Sequence, residues 1–450
     1  MRFSNNHKLI IHFIVFSLLL IFTGKAFLST SENFLLYLYG ATVTFVILTT
    51  FFVTFTKYKD PYETALEKEK RTGRISDLFV SCMVAVKDEE NIIEQCILSL
   101  INQTYKYKEV IFVNDASTDG TEKILNKYAR EGAIKVIHLR NNIGKKKALG
   151  KAMAIAKGEI FAFSDSDSVW ALDAIEKIVK IFGSDPLIGA VSGHVRVLNS
   201  NKNILTKIQD SWYEGQFSIR KAFESIFGAV TCVSGPLAVF RKEAIFNFIP
   251  AWENDTFLNQ EFRFATDRTL TGFVLGSKSI GEKLKKKYSN SPFVVKNVNY
   301  STKDWKVVYS KSAKAWTNVP DTPKRMLKQQ IRWKKSFIRN IFFTGAFYWK
   351  KPLLPALFYY LHIIFVLVGP FIAFRHLIYL PAQGHIYSAF LYIAGIAFIG
   401  FIFGLAFKLE NKDSHMWIYR PLMSLMSTTI FSWLIFYSAL TIKKMVWSRT

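Results

Sequence analysis

Two carboxylates, Asp165 and Asp167, close the run Ile160-Phe161-Ala162-Phe163-Ser164-Asp165-Ser166-Asp167-Ser168 at a spacing of i, i+2. A mostly apolar run that ends abruptly in turn formers reads as a strand buried on both faces. Ligands of open α/β sheets sit beyond the carboxyl ends of such strands, so both acids belong at a mouth. There they repel each other unless a cation stands beside them. Hard oxygen donors facing a diphosphate suit Mg²⁺ or Mn²⁺. A solvated Asp-Ser-Asp turn is the bland origin of the same pattern, so the rest of the chain has to decide.

Two further strand ends carry polar groups. Val113-Asn114-Asp115-Ala116-Ser117-Thr118-Asp119-Gly120 puts Asp115 where a carboxylate can accept from a base or a ribose. Asn141-Asn142-Ile143-Gly144-Lys145-Lys146-Lys147-Ala148 opens a helix with glycine and three lysines, a combination that favours phosphate. Its bland counterpart is a solvated basic helix start. The elements that must position these residues alternate. Strands are expected at 78–86, 109–113, 134–138 and 160–163, with helices at 90–100, 121–128 and 146–156. Strand and helix in turn imply a parallel sheet with helices on both faces, hence an α/β nucleotide-binding domain. Neither the dinucleotide fingerprint nor the P-loop occurs in the sequence.

The 450 residues are half apolar and carry a formal charge of +25. The apolar segments direct that charge toward anionic lipid and nucleotide-sugars rather than nucleic acid. Only Cys82, Cys96 and Cys232 occur, too sparse for a disulfide framework, so the middle region reads as cytosolic. Apolar runs at 9–22, extendable to 28, and at 33–55 read as two membrane spans, the first in competition with a cleaved signal peptide. Lysines and arginines follow the second run, which places the N-terminus and the middle region in the cytoplasm. Residues 337–351 read as an amphipathic interfacial helix, and 353–374 and 386–407 as spans. The stretch 417–442 begins with Arg420-Pro421. A full span there would put Lys443, Lys444 and Arg449 outside, so a re-entrant or interfacial segment is expected.

Asp115, Gly144-Lys145, Asp165-Ser166-Asp167 and Gln329-Gln330-Ile331-Arg332-Trp333, in that order, resemble the motif set of processive family 2 glycosyltransferases. Gly193-His194-Val195-Arg196-Val197, Cys232-Val233-Ser234-Gly235-Pro236, Ala265-Thr266-Asp267-Arg268-Thr269 and the ending Trp447-Ser448-Arg449-Thr450 resemble hyaluronan synthases more than cellulose synthases. The resemblance covers about residue 77 to the C-terminus. It implies a GT-A α/β domain embedded among transmembrane and interfacial helices, an inverting transfer from UDP-sugars to a growing polysaccharide, and a Mg²⁺ or Mn²⁺ ion. It implies no nucleic acid and no obligate protein partner; the other partners are membrane lipids. Asp267 is then the catalytic base. Asp115, Lys145, Asp165, Gln329 and Arg332 bind the donor, and Asp167 with Asp165 holds the metal. Trp333, Cys232, Ser234, Gly235 and Pro236 take the acceptor. An interfacial anchor is the competing reading of Trp333.

There are departures from the family pattern. Lys87 stands where an aromatic near the uracil is usual, Asn114 where an aspartate is, and Ala265-Thr266-Asp267 where glycine-aspartate-aspartate is. The lysine-rich stretch 277–307 is an insertion, read as a solvated surface loop ahead of a lipid contact or a site for an acidic polymer. The expected organisation is two spans in 1–56, a linker at 57–77, the catalytic domain at 78–336, the interfacial helix at 337–351, spans or re-entrant helices at 352–442 and a cytosolic tail at 443–450, all in the plasma membrane with the catalytic domain cytosolic. Chitin, poly-N-acetylglucosamine or β-glucan synthesis, a lipid-linked sugar transferase, and a non-enzymatic transporter or scaffold are the other readings.

Overall fold

The computed structural model describes residues 16, 23, 34–73, 77–291, 293, 303–412 and 415–444. The expected first span falls almost wholly outside the described residues. So do the terminal Trp447-Ser448-Arg449-Thr450 and positions 292 and 294–302 of the lysine-rich stretch.

Two helices lead into the sheet. α1 (Phe34–Lys57) is apolar throughout, and α2 (Pro61–Thr72) starts at Asp60, whose side chain accepts from the Tyr62 N–H. The chain then alternates through β1 (Val80–Val86), α3 (Ile93–Ile101), β2 (Lys108–Asn114), α4 (Thr121–Arg130), β3 (Lys135–His138), α5 (Lys145–Ile155) and β4 (Ile160–Ser164). Each of these expected elements is present with its ends moved by a few residues. Beyond them come β5 (Ser168–Trp170), α6 (Ala174–Ser184), β6 (Ile188–Val197), α7 (Ile204–Gly215) with a π turn at Gln216–Lys221, and β7 (Ala238–Arg241). A small pair, β8 (Thr256–Phe257) and β9 (Gln260–Glu261), precedes α8 (Thr266–Lys287) and the long β10 (Lys306–Thr317).

Eight strands form one sheet in the order β3-β2-β1-β4-β7-β6-β10-β5. The sheet is mixed, which corrects the expected all-parallel arrangement. β1 to β4 pair in parallel, but β7 runs antiparallel between β4 and β6, and β5 runs antiparallel to β10. For β5 the physical reason is the acidic turn. Strand β4 ends in it, and the three residues that follow cross to the far edge rather than starting a helix.

Both faces are covered, as the apolar strands require. Met83, Ile111, Phe161 and Phe240 pack with Leu149, Met153, Trp252 and Phe273 on one face. Cys82, Val84, Phe112 and Ala162 pack with Ile97, Leu100, Ile178 and Phe182 on the other. Each fully buried side chain of this size contributes about 1.5–3 kcal/mol.

The C-terminal part begins with α9 (Pro323–Phe343), capped by Thr322 and opened by proline. The Gln329–Trp333 motif and residues 337–343 of the expected interfacial segment lie on this one helix, while Tyr348–Lys350 forms a separate 3-10 turn. The lysine-rich stretch also differs from the expected loop. α8 runs on to Lys287, because Gly272 and Gly276 admit the rings of Phe343 and Phe347 while Ile280 and Leu284 join the core. Its last-turn lysines suit the negative end of the helix dipole.

α10 (Leu353–Phe374) and α11 (Tyr387–Glu410) follow. Among the described residues three helices are long and apolar enough to cross a membrane, the first beginning in α1. The final pieces, Met416–Phe431 and Leu434–Leu440, meet at a 43° bend and form a fourth broken span or a re-entrant segment.

Candidate active site

The acidic turn lies where the sheet leaves its parallel half. Ser168 closes it by donating its N–H to the Asp165 carbonyl at 3.1 Å. The Asp165 carboxylate is ion-paired with Lys145. Asp167 accepts from Thr317 Oγ1 at 3.3 Å, from the last residue of β10. Burial first, and the neighbouring Asp165 second, raise the Asp167 carboxyl to about 6. Burial works against the charge on Lys145, but Asp165 outweighs it, with Asp267 and Asp167 behind, and its pKa ends above the usual lysine value.

Lys145 is delivered by a loop that Asp115 builds. The two Asp115 oxygens accept the N–H groups of Ile143 and Gly144 at 2.8 and 2.9 Å. Gly144, at φ +85, then opens α5 in a backbone conformation that glycine takes without strain. Asp115 is thus the support of the Lys145 loop. Of the three lysines only Lys145 reaches the acidic turn. Lys146 is buried on Asp255 and the Phe262 carbonyl, each at 2.8 Å, and Lys147 pairs with Glu261. The departures at 87 and 114 are tied down locally. Lys87 donates to Asp88 at 2.8 Å and to the Ala116 carbonyl at 3.0 Å, and Asn114 bridges His138 and the Ser117 N–H.

Asp267 stands in the first turn of α8, which Ala265 enters at φ +60. Its Oδ2 accepts the Gly235 N–H at 3.2 Å and faces the Cys232 thiol at 3.7 Å, while Oδ1 accepts the Arg268 N–H at 2.8 Å. Gly235 is in contact with both acids: a Cβ placed on it would lie 2.9 Å from Asp165 Oδ2. One glycine therefore separates the acidic turn from Asp267. Thr271 Oγ1 accepts the Val233 N–H at 3.0 Å and donates to the Asp267 carbonyl, locking the 232–236 loop to α8. Trp170 Nε1 donates to the Pro236 carbonyl at 2.6 Å, which fixes its other end to β5.

The motif on α9 brings an aromatic surface. Trp333 stacks on Trp212 with ring centroids 5.6 Å apart and planes 22° apart, and Tyr213 lies 6.5 Å from Trp333. Gln329 Oε1 is buried without a hydrogen-bond partner, an unmet acceptor on this helix. Tyr213, absent from the sequence expectation, faces the whole set. Burial raises its phenol, and Asp167, Asp165 and Asp267 add to this while Arg332 opposes it. Lys221 was missed too. Both lie on α7 and its π turn, a region with no strand-end signal; only the aromatic run Trp212-Tyr213 hinted at a sugar-sized platform.

The acids fit a divalent ion carried by a diphosphate. Among the described residues no group of three or more His, Cys, Asp or Glu is arranged to hold a metal. Mg²⁺-type sites commonly take only one or two carboxylates and complete their shell from water and phosphate oxygens. Asp165 and Asp167 supply that number.

The family model for glycosyl transferase family 2 matches residues 81–246. The chain carries a family 2 glycosyltransferase domain. The match runs from β1 through β7 and includes Asp115, Lys145 and the acidic turn; with the mixed sheet, it makes this domain a GT-A glycosyltransferase. The hyaluronan synthase of Streptococcus pyogenes is 27% identical over 384 residues, covering 83% of this chain and 84% of that one. An N-acetylglucosaminyltransferase of Rhizobium meliloti (strain 1021) is 30% identical over 258 residues, covering 57% of this chain and 54% of that one. The mannosyltransferase PcManGT from Pyrobaculum calidifontis, solved with GDP-Man and Mn²⁺, aligns over 88% of this chain and 98% of its own at 18% identity and a TM-score of 0.46, a likeness too distant to argue from.

Proposed function

We propose that this glycosyltransferase is a membrane-embedded, processive, inverting synthase that polymerises UDP-N-acetylglucosamine and UDP-glucuronate into a hyaluronan-like polysaccharide and passes it through the plasma membrane. The observation that carries the reading is Gly235, in touch with Asp165 on one side and Asp267 on the other. A donor diphosphate at the acidic turn and an acceptor hydroxyl at Asp267 are then held side by side, and holding two reactants together is what accelerates bimolecular transfer. The similarity to the streptococcal synthase along most of both chains supports the polymer, and the apolar helices support the membrane.

The acceptor oxygen attacks the anomeric carbon, the carbon–oxygen bond to UDP breaks, and the hydroxyl proton passes to Asp267 Oδ2. Asp165 and Asp167 would hold the metal ion, whose contribution when bound would be Lewis-acid stabilisation of the departing diphosphate. Lys145 and Arg332 add positive charge beside it, Arg332 with a planar fork that matches phosphate oxygens. Gln329 hydrogen-bonds the donor. Trp333 stacks on the acceptor sugar, and Cys232, Ser234 and Pro236 line its pocket. The catalytic domain, 78–336 with the first half of α9, faces the cytosol. A homopolymer of N-acetylglucosamine is the second reading, favoured by the similarity to the Rhizobium enzyme.

Purified protein in nanodiscs with Mn²⁺ or Mg²⁺ separates the two. Hyaluronidase-sensitive polymer only with both donors supports the first reading; polymer from UDP-N-acetylglucosamine alone supports the second. Asp267→Asn should lose about 10²–10⁴-fold in transfer, the usual contribution of a general base, while still binding UDP. Near-normal transfer by that variant would remove Asp267 from the mechanism.

A further inference from the structure

Lys221 ends the π turn after α7 with its side chain only 8% exposed. Its ammonium donates to Ser234 Oγ at 2.5 Å and to Ser192 Oγ at 2.9 Å, and lies 4.1 Å from the centre of the Phe217 ring. Ser192 belongs to β6 and also accepts the Ser234 N–H at 3.4 Å. The 232–236 loop is therefore gripped from two sides. Asp267 and Thr271 hold Gly235, Cys232 and Val233 on the α8 side; Lys221 and Ser192 hold Ser234 on the sheet side. A lysine with no carboxylate in hydrogen-bond reach is a costly buried cation, retained here at a loop that touches both acids.

We propose that Lys221 is a positioning residue for glycosyl transfer, clamping the 232–236 loop through Ser234 so that the acceptor hydroxyl, and not water, stands at Asp267. The inference rests on the acceptor and base assignments above. With the clamp lost, water replaces the sugar hydroxyl. Its oxygen bonds the anomeric carbon, its proton goes to Asp267, and UDP leaves with free sugar as the other product. The groups around the ammonium are Asp267 and Arg268 on α8, Cys232 in the loop, and Glu224 after the turn. Burial lowers the Lys221 pKa to about 8, while burial and then Asp267 raise the Cys232 thiol to about 11, so Lys221 titrates first. The sign separates this from unfolding. A lysine pKa depressed in the folded state adds stability as pH rises from about 8 toward the unfolded value of about 10.4. A rate that falls there does not fall because this group destabilises the fold.

The experiment measures UDP released against sugar incorporated, across pH, in nanodisc-embedded full-length protein. Lys221→Met should raise that ratio at least fivefold. Lys221→Arg, which keeps a charged donor, should restore it to within twofold and move the alkaline limb of the rate profile upward. Ser192→Ala, outside the acceptor pocket, keeps Lys221 and Ser234 but removes the hydroxyl that anchors both, so it should raise the ratio in the same direction, and it decides the matter should Lys221→Met fail to fold. Wild-type ratios and an unmoved limb in the folded variants overturn the clamp. A transfer-competent Asp267→Asn overturns the base assignment beneath it, which is a separate outcome.

Discussion

Gly235 has no positive φ, so its missing side chain is a matter of space. A methyl there meets the Asp165 carboxylate at 2.9 and 3.1 Å, and Asp165 is not free to retreat because Lys145 holds it. Gly235→Ala should therefore lower kcat/KM for the UDP-sugar by about 10–100-fold through a displacement of well under an ångström or so, with the melting temperature little changed. Steady-state kinetics beside a thermal melt read both. At this scale the sequence was informative where chemistry follows a strand. Asp165, Asp167 and Asp115 sit at strand ends, which apolar runs advertise, and Lys145 opens a helix after a glycine. It was silent on Lys221 and Tyr213, whose positions depend on how α7 crosses the sheet. It was misleading on Lys146, whose partners Asp255 and Phe262 are more than a hundred residues away. Ala265 has a physical reading now: it occupies a left-handed backbone position, where a residue with a Cβ costs about 1–2 kcal/mol and glycine does not.

Among the elements, α9 ties the Gln329–Trp333 motif to the apolar helix α10, through Phe337 on His362 and the Asn340 carbonyl on Tyr359. Its Arg339 pairs with Asp255, which also holds Lys146, so one carboxylate only 4% exposed balances two cations from α5 and α9. Removing that carboxylate leaves both cations buried. Asp255→Ala should cost about 3–5 kcal/mol, seen as a large drop in melting temperature in detergent. A drop no larger than that of a surface substitution would mean the pair is solvated. The first four strands were legible because each is a short apolar run. β5 and β7 were not: three and four residues carry too little period, and antiparallel entry into the sheet leaves no local mark. The end of α8 was misjudged for a different reason. A run of lysines looks like a loop, but here the lysines cover the outer side of a helix whose inner side is Gly272, Gly276, Ile280 and Leu284.

For the whole molecule, several polar links join the N- and C-terminal helices to the catalytic domain, and Asp60 supplies two of them. At the junction of α1 and α2 it caps Tyr62 at 3.0 Å and accepts from Ser310 Oγ and the Ser312 N–H, at 2.9 and 2.8 Å, on β10. Phe51 of α1 packs on Phe403 of α11 at 4.9 Å, so the same helix is seated among the apolar helices. Asp60→Ala should cost about 1–3 kcal/mol by losing a cap and leaving backbone donors unmet, and should speed proteolysis between residues 57 and 73. Unchanged cleavage would show the joint held by packing alone. Apolar content foretold the long apolar helices; no local pattern could reveal which residues fasten sheet to helices, because Asp60 and Ser310 are 250 positions apart.

The uninterrupted course of α9 has one more consequence. Trp333 and Phe343 lie on the same rod, ten positions apart, about 15 Å at 1.5 Å per residue. No break in the helix lies between the Trp333 ring, stacked on Trp212, and the Phe343 ring, packed on Phe273 of α8. Should Trp333 take the acceptor sugar as proposed, it would do so at a fixed span from Phe343, and the polymer would be advanced as thread is through a fixed needle, with each added sugar pushing the one before it.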